Sequence, residues 1–404
     1  MNVPINTGDT AWMLVSCALV LVMTPALAFF YGGMVRRKNL LSTLTLSYIM
    51  MGVMGVQWVL WGYTFAFGGA GALFGGFSKL GFIGVTGAAI SKDLPIPELI
   101  FAAFQGMFAI ITPALITGAF VERIKFGGFL LFSIIWATFV YDPVAHWVWG
   151  EKGWLLSLGA LDFAGGTVVH ILAGFSALAF ALVIGPRKGF GKVPMEPSNI
   201  PYTVLGAGLL WMGWFGFNAG SALGANATAA YAFVNTNTAA AAAAVVWMFL
   251  SWKDSKPSAL GIATGMVVGL VAITPAAGFV TPLAAIAIGA LAAPCSYYMI
   301  QFRTKKGLDE SLDVFACHGI AGLWGALATG LFAVKSVGGA DGLFAGNPKQ
   351  FAIQALAAGV SIVFAFLATL VIAKIVDSTV GLRVNDMEEE VGLDISGHGE
   401  RAYS

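Results

Sequence analysis

The chain has 404 residues, of which 58% are hydrophobic and 10% charged, with a formal net charge of +1. So little charge cannot keep the surface of a soluble protein of this length hydrated, and a mean hydropathy of +0.84 reads as an integral membrane protein. The near-neutral balance carries no signal for nucleic acid, and no nucleic-acid partner is expected.

Apolar runs of about 20 residues recur, each able to cross a hydrocarbon core of about 30 Å as a helix, and no alternating strand pattern competes. The first could be taken for a signal peptide, but it lacks a basic leading region and the cluster Arg36-Arg37-Lys38 follows it, so it reads as a retained first helix. In chain order the pattern predicts eleven spans, at about 11–34, 41–67, 97–119, 127–149, 164–185, 202–222, 227–250, 259–279, 282–302, 313–334 and 350–376.

An odd number of spans places the termini on opposite sides. The side reached after the first span holds Arg36, Arg37, Lys38, Arg123, Lys125, Arg187, Lys188, Lys192, Lys253, Lys256, Arg303, Lys305 and Lys306, with Lys374, Arg383 and Arg401 near or beyond the last. The other side has only Lys79, Lys92, Lys152, Lys335 and Lys349. The positive-inside rule therefore sets the amino terminus outside and the tail in the cytoplasm.

An internal repeat follows from two matched motifs. IITPA (Ile110–Ala114) in the third span answers AITPA (Ala272–Ala276) in the eighth, and HILAG (His170–Gly174) in the fifth answers HGIAG (His318–Gly322) in the tenth. Five helices per half is odd, so the halves cross in opposite senses, the inverted-repeat plan of transporters and channels with a site near the midplane. The expected organisation is one transmembrane transporter domain over 1–376, with repeat one at about 11–185, repeat two at about 202–334 and a final helix at about 350–376. A cytoplasmic tail, 377–404, follows.

The candidate site residues come from these motifs. His170 and His318 lie inside apolar helices, where a polar side chain needs a partner or a pathway. Gly166 and Gly174 flank the first; Gly322 and Gly325 follow the second, so each imidazole rides on a small-residue face that permits close backbone approach. If both faces meet on the pseudo-two-fold axis, the rings come within hydrogen-bond reach, as a structural pair or as a proton relay. Asp162 precedes the fifth span and suits a helix cap; Asp309, Glu310 and Asp313 precede the tenth and suit the same purpose. No acidic residue is expected mid-helix. Trp147, Trp149 and Trp154 sit at the mouth of the fourth and fifth spans, where tryptophan ordinarily anchors in the headgroup belt but can also attract a small cation. His146 lies near the outer end of the fourth span. Cys17, Cys295 and Cys317 have no neighbour at metal or disulfide spacing and read as packing residues.

An enzyme is not expected: there is no HExxH and no nucleophile at convincing spacing from a base, and no cofactor or metal is implied.

The run ALDFAGGTVVHILAGFSALAFALVIGPRKG (Ala160–Gly189) resembles the signature of the ammonium transporter, methylammonium permease and Rhesus family. The likeness extends from FFYGG (Phe29–Gly33) through FGFNAGS (Phe215–Ser221) to GLDISGHGERAY (Gly392–Tyr403) and is nearest the prokaryotic ammonium transporter branch. The resemblance implies a multi-pass protein of the cell membrane that carries ammonium or ammonia, and methylammonium, as a homotrimer with a pore in each subunit. It implies Trp149, Ser221 and Phe108 as an external ammonium site, Phe108 and Phe217 as a phenylalanine gate, and His170 and His318 as the pore pair. Asp162 and Trp214 are implied to support conduction. Gly392, Asp394, Ser396, His398 and Gly399 match an ordered regulatory tail, and a PII-type signalling protein is implied as a cytoplasmic partner. The runner-up is an ammonium sensor signalling through such a partner; no kinase or other output domain follows the last span.

Overall fold

All regular structure in the described residues, 3–403 of this computed structural model, is helical apart from isolated bridges. Ten helices are long and apolar enough to cross a membrane, and with the shorter apolar helix Ala259–Ile273 they make eleven. In chain order they are α1 (Thr7–Met34), α2 (Arg37–Phe67), α3 (Glu98–Ala119), α4 (Phe126–Leu158), α5 (Gly166–Ile184), α6 (Ile200–Gly220), α7 (Ala227–Asp254), α8 (Ala259–Ile273), α9 (Pro282–Lys305), α10 (Phe315–Phe332) and α11 (Pro348–Thr379). Two short helices, α12 (Asp386–Val391) and α13 (Leu393–His398), form the tail.

Local chemistry starts these helices. Side-chain oxygens of Asn6, Asn199, Asn226, Ser258 and Thr281 accept the free N–H groups at the starts of α1, α6, α7, α8 and α9, which is what polar caps do for donors that lack an intrahelical partner. The predicted spans match these helices within a few residues, except that α4 is followed to Leu158 rather than about 149 and α8 stops at Ile273 rather than at about 279. Thr274-Pro275 follows, and the chain unwinds because proline supplies no N–H to continue the ladder. The freed carbonyls are satisfied: Asn235 Nδ2 donates to Ala277 O (2.8 Å) and Val280 O (2.7 Å), and Phe163 N–H donates to Pro275 O (3.1 Å). The matching Pro113 stays inside α3, so the twin motifs diverge in structure.

Small residues set the closest crossings. A Cβ on Gly206 of α6 would lie 2.4 Å from Phe30 N of α1, and one on Gly174 of α5 would lie 2.1 Å from Gly319 N of α10. These contacts are nearly backbone on backbone, the arrangement that lets helices associate where lipid removes the hydrophobic incentive. Four turns widen to the π type, at Trp58–Gly62, Ala137–Tyr141, Gly166–Ile171 and Phe315–Ile320. The last two open α5 and α10, and each carries one of the paired histidines. Such turns bulge a helix locally and are frequent at functional sites.

One buried acidic residue corrects the expectation that none sits mid-helix. Asp142 falls inside α4, is fully buried, and accepts from Gln57 Nε2 at 2.8 Å. Cys295 is also corrected: it is exposed on the chain, whereas Cys17 is half-buried and Cys317 buried, all three as free thiols.

A charged layer closes the predicted cytoplasmic end. Arg187 reaches Glu122 at 2.7 Å and Asp309 at 2.8 Å, and Arg36 reaches Glu122 at 3.1 Å. Burial alone would raise the Glu122 carboxyl, but the guanidinium groups of Arg187 and Arg36 hold it below the ordinary carboxylate range. Burial lowers Arg123 to about 10, and its guanidinium donates to Gly185 O, Ala119 O and Asp309 O. Because removing one partner strands a buried charge, Arg187→Ala is expected to destabilise the protein by about 3–5 kcal/mol. Chemical denaturation in detergent checks this; an exposed partner such as Lys188, paired with Glu390, should cost far less when replaced.

The tail docks on the same chain. Asp394 Oδ1 accepts from Ser42 N–H at 2.8 Å, and Leu393 N–H donates to Asn39 Oδ1 at 2.8 Å, both near the start of α2. Gly392 has a φ of 105° and a Cβ there would lie 2.5 Å from Lys38 Cβ, so only glycine fits. Gly399 also has a positive φ, 69°, just after α13. Ser396 Oγ donates to Gly392 O (2.9 Å), and the His398 ring meets Phe126 edge-on.

Candidate functional site

Residues of α1, α3, α4, α5, α6, α8 and α10 line two successive spaces inside the helix bundle. At the predicted outer end lies a recess of about 250 Å³ lined by Gln105 and Phe108 of α3, Trp149 of α4, Asp162 and Ser221. Trp149 Nε1 donates to Asp162 O at 2.8 Å, which fixes the plane of the indole. Phe108 meets Trp149 edge-on at 5.8 Å. Ser221, at the end of α6, donates its hydroxyl hydrogen to Phe217 O (2.8 Å). That leaves the oxygen lone pairs free to accept from a donor in the recess.

Below the recess, Phe108 and Phe217 lie against each other with ring centroids 4.3 Å apart. Beyond them the space shrinks to about 10 Å³, walled by apolar residues including Leu27, Ile111, Leu115 and Val267 together with Trp214 and the two histidines. Trp214 is held by its Nε1, which donates to Thr274 Oγ1 at 2.9 Å. The His170 ring lies against both this indole (5.5 Å) and Phe217 (6.0 Å), and those two rings also meet each other at 5.4 Å.

The two imidazoles meet as expected. His170 Nδ1 and His318 Nδ1 are 3.2 Å apart, and both residues are buried. One ring must donate its Nδ1–H and the other accept, so the donor ring presents a bare Nε2 and the acceptor ring an Nε2–H. His170 Nε2 is buried without a protein partner and borders the narrow space. The glycine faces act partly as predicted. Gly174 lies on Gly319, and Gly322 lies against His170 Cβ, whereas Gly166 faces Pro275 and Gly325 faces the Ala272 carbonyl. Past His318 a second small space, bordered by Tyr31, Asp313 and Cys317, leads toward the charged end.

Asp162 is a complete helix cap. Its Oδ1 accepts from Gly165 and Gly166 N–H (2.8 and 2.7 Å) and its Oδ2 from Thr167 and Val168 N–H (2.8 and 3.1 Å). Glu310 repeats the device on α10, accepting from Val314 and Phe315 N–H (2.6 and 3.2 Å). Burial raises the Glu310 carboxyl to about 7 even though Arg303 opposes this. Asp309 and Asp313, expected as caps beside it, instead pair with Arg187 and Arg303. The signal for Glu310 was in the spacing, since it precedes His318 by the same interval that separates Asp162 from His170.

The tryptophan cluster separates. Trp149 lines the recess, while Trp147 is buried against Phe364 and donates to Leu73 O (3.0 Å), and Trp154 packs on Trp147. His146 is fully buried beside the outer loop, with Nδ1 2.7 Å from Ala66 O and Nε2 against Gly71 O.

These features agree with comparison to known proteins. The profile of the Ammonium Transporter Family matches residues 11–403. The chain is 50% identical to the ammonium transporter Amt1 of Archaeoglobus fulgidus over 399 residues, covering 99% of this chain and 100% of that one. It superposes on the crystal structure of Candida albicans Mep2 with a TM-score of 0.90 at 35% identity, covering 95% of this chain and 88% of that one. A solved structure described as a sensor Amt protein gives a TM-score of 0.89 at 28% identity, covering 97% and 98%. The chain is therefore a multi-pass membrane transporter that belongs to the ammonium transporter family.

Proposed function

We propose that this ammonium transporter recruits the cation in the outer recess, removes its proton before the phenylalanine pair, and passes ammonia along the two histidines. The observation that carries this reading is the change in polarity along the axis: a recess with an aromatic face and a free hydroxyl oxygen opens onto a space where the imidazoles are the polar groups. In the recess, the Trp149 face and the Ser221 lone pairs favour a small cation that donates hydrogen bonds over water or a larger ion. Stripping a full charge of water in the apolar space is prohibitively costly. Neutral ammonia avoids that cost, and the His170–His318 hydrogen bond offers the displaced proton a separate path.

Methylammonium fits the same chemistry, because one face still carries donors and the methyl group suits the aromatic walls. The remaining family traits are carried as proposals: a homotrimer, a tail regulating conduction through Gly392, Asp394, Ser396, His398 and Gly399, and a PII-type partner at the cytoplasmic face. The proposed division places the transporter domain at 1–376 and the tail at 377–404, with the boundary in the last turn of α11.

Loss of the aromatic face tests the recruitment step. The Trp149→Leu variant is expected to raise the half-saturating ammonium concentration roughly 2- to 30-fold, the range for one cation–π contact. Ammonium-evoked current from protein in a supported membrane reads this; an unchanged half-saturation would sink the outer-site reading.

A further inference from the structure

We infer that Gln354, on α11 and outside both five-helix halves, is a positioning residue for the outer site. Its side chain is 1% exposed and lies in the membrane-spanning part of α11. Oε1 accepts from Leu161 N–H at 2.7 Å, and Nε2 donates to Leu161 O at 2.7 Å and to Ala326 O of α10 at 3.2 Å. The amide thus pairs with both polar groups of one residue, as a neighbouring strand would. The structure gives Leu161 no other hydrogen-bond partner among the described residues.

The position of Leu161 gives that clamp its consequence. The next residue is Asp162, whose carboxylate holds the start of the His170 helix and whose carbonyl takes the Trp149 indole N–H. The segment that leads there, Gly159 to Leu161, is irregular, beginning at a left-handed glycine with φ 97°. Gln350, one turn earlier on α11, ties it a second time by donating to Gly159 O at 2.9 Å. Room for the clamp comes from Gly330 of α10, where a Cβ would lie 2.9 Å from Gln354 Cγ. One amide therefore joins α10, α11 and the peptide before Asp162.

The residue type follows from the geometry. Only a group with a donor and an acceptor in one plane can satisfy the N–H and the C=O of the same residue. An apolar side chain would leave both buried and unpaired, and Leu161 would be free to shift. Because Asp162 and Trp149 follow Leu161, a shift there misplaces the recess wall without touching the ligand, the way supporting groups tune a site.

This inference rests on the reading of Trp149 and Asp162 as parts of the outer site, and the test separates the two. Full-length protein is reconstituted, and ammonium-evoked current is recorded against concentration between about pH 5 and 8. The Gln354→Met variant keeps the length without the polar groups and is expected to raise the half-saturating concentration about tenfold, as for a buried peptide left unpaired. The Gln354→Glu variant supplies the rescue. Its neutral acid both donates and accepts, so it should match wild type at the acid end. Its ionised form can only accept and would face two carbonyl oxygens, so half-saturation should climb toward that of the Met variant as pH rises.

A well-folded Met variant with wild-type half-saturation overturns the inference, and so does a Glu variant whose ratio to wild type is constant with pH. If the Met variant fails to fold, the Glu variant alone decides. An unchanged Trp149→Leu variant would instead remove the outer-site reading, whatever Gln354 does.

Discussion

Replacing both His170 and His318 with alanine is expected to lower the ammonium-evoked current by about 10²-fold or more, the scale on which a positioned proton-transfer group acts. Two consequences of the geometry add up here. The Nδ1–Nδ1 hydrogen bond of 3.2 Å vanishes, so no shared proton remains. At the same time two rings leave a space of about 10 Å³, opening it enough for water and hydrated ions to follow. The double variant should therefore lose discrimination between ammonium and potassium as it loses coupled current. Current on a supported membrane measures the first and potassium flux into vesicles the second. Full current with unaltered selectivity would remove the relay and leave the pair a structural link between α5 and α10.

The second large effect is expected at Asp162. Its two oxygens accept four N–H groups, so Asp162→Ala leaves them all buried and unpaired, at a cost of about 1–3 kcal/mol for each donor, not strictly additive. The start of α5 should fray, carrying His170 away from His318 and loosening the peptide that holds Trp149. Transport is expected to fall to background, with a lower thermal midpoint in detergent. Asp162→Asn separates charge from shape: one amide oxygen still accepts, but the amide nitrogen meets further donors. An intermediate loss is expected. Wild-type flux in the Asn variant would show that two of the four bonds suffice, and wild-type flux in the Ala variant would end the capping account.

Much of this molecule was legible because membrane burial makes sequence patterns blunt. A lipid-crossing helix must be apolar along its whole length and must satisfy its own backbone, so span positions follow from hydropathy with little reference to the rest of the chain. The histidine pair was legible for the complementary reason: two polar residues in such helices stand out, and matched flanking glycines reveal their symmetry. Asp142 escaped the same reading although the predicted span 127–149 contains it, because it belongs to no repeated motif and its partner, Gln57 of α2, is 85 residues away. Gln354 escaped too, because one amide in an apolar helix carries no motif.

The end of α8 marks another boundary. The motif shared by Pro113 and Pro275 gives both positions the same local preference, yet one helix continues and the other unwinds. The difference lies in distant partners: Asn235 and Phe163 supply hydrogen bonds to the carbonyls around Pro275. Local chemistry set the possibility and the neighbours selected the outcome.

By itself, the sequence determined the all-helical membrane class, the span positions, the family and the identity of the paired histidines, since each depends on composition or on short motifs. The tertiary structure alone decided that Trp149 lines the recess while Trp147 and Trp154 do not, and that Gln354 clamps Leu161. Each of these turns on which side chain meets a backbone group far away in the chain, and hydrogen bonds of that kind depend on ångström-scale approach that no local pattern encodes.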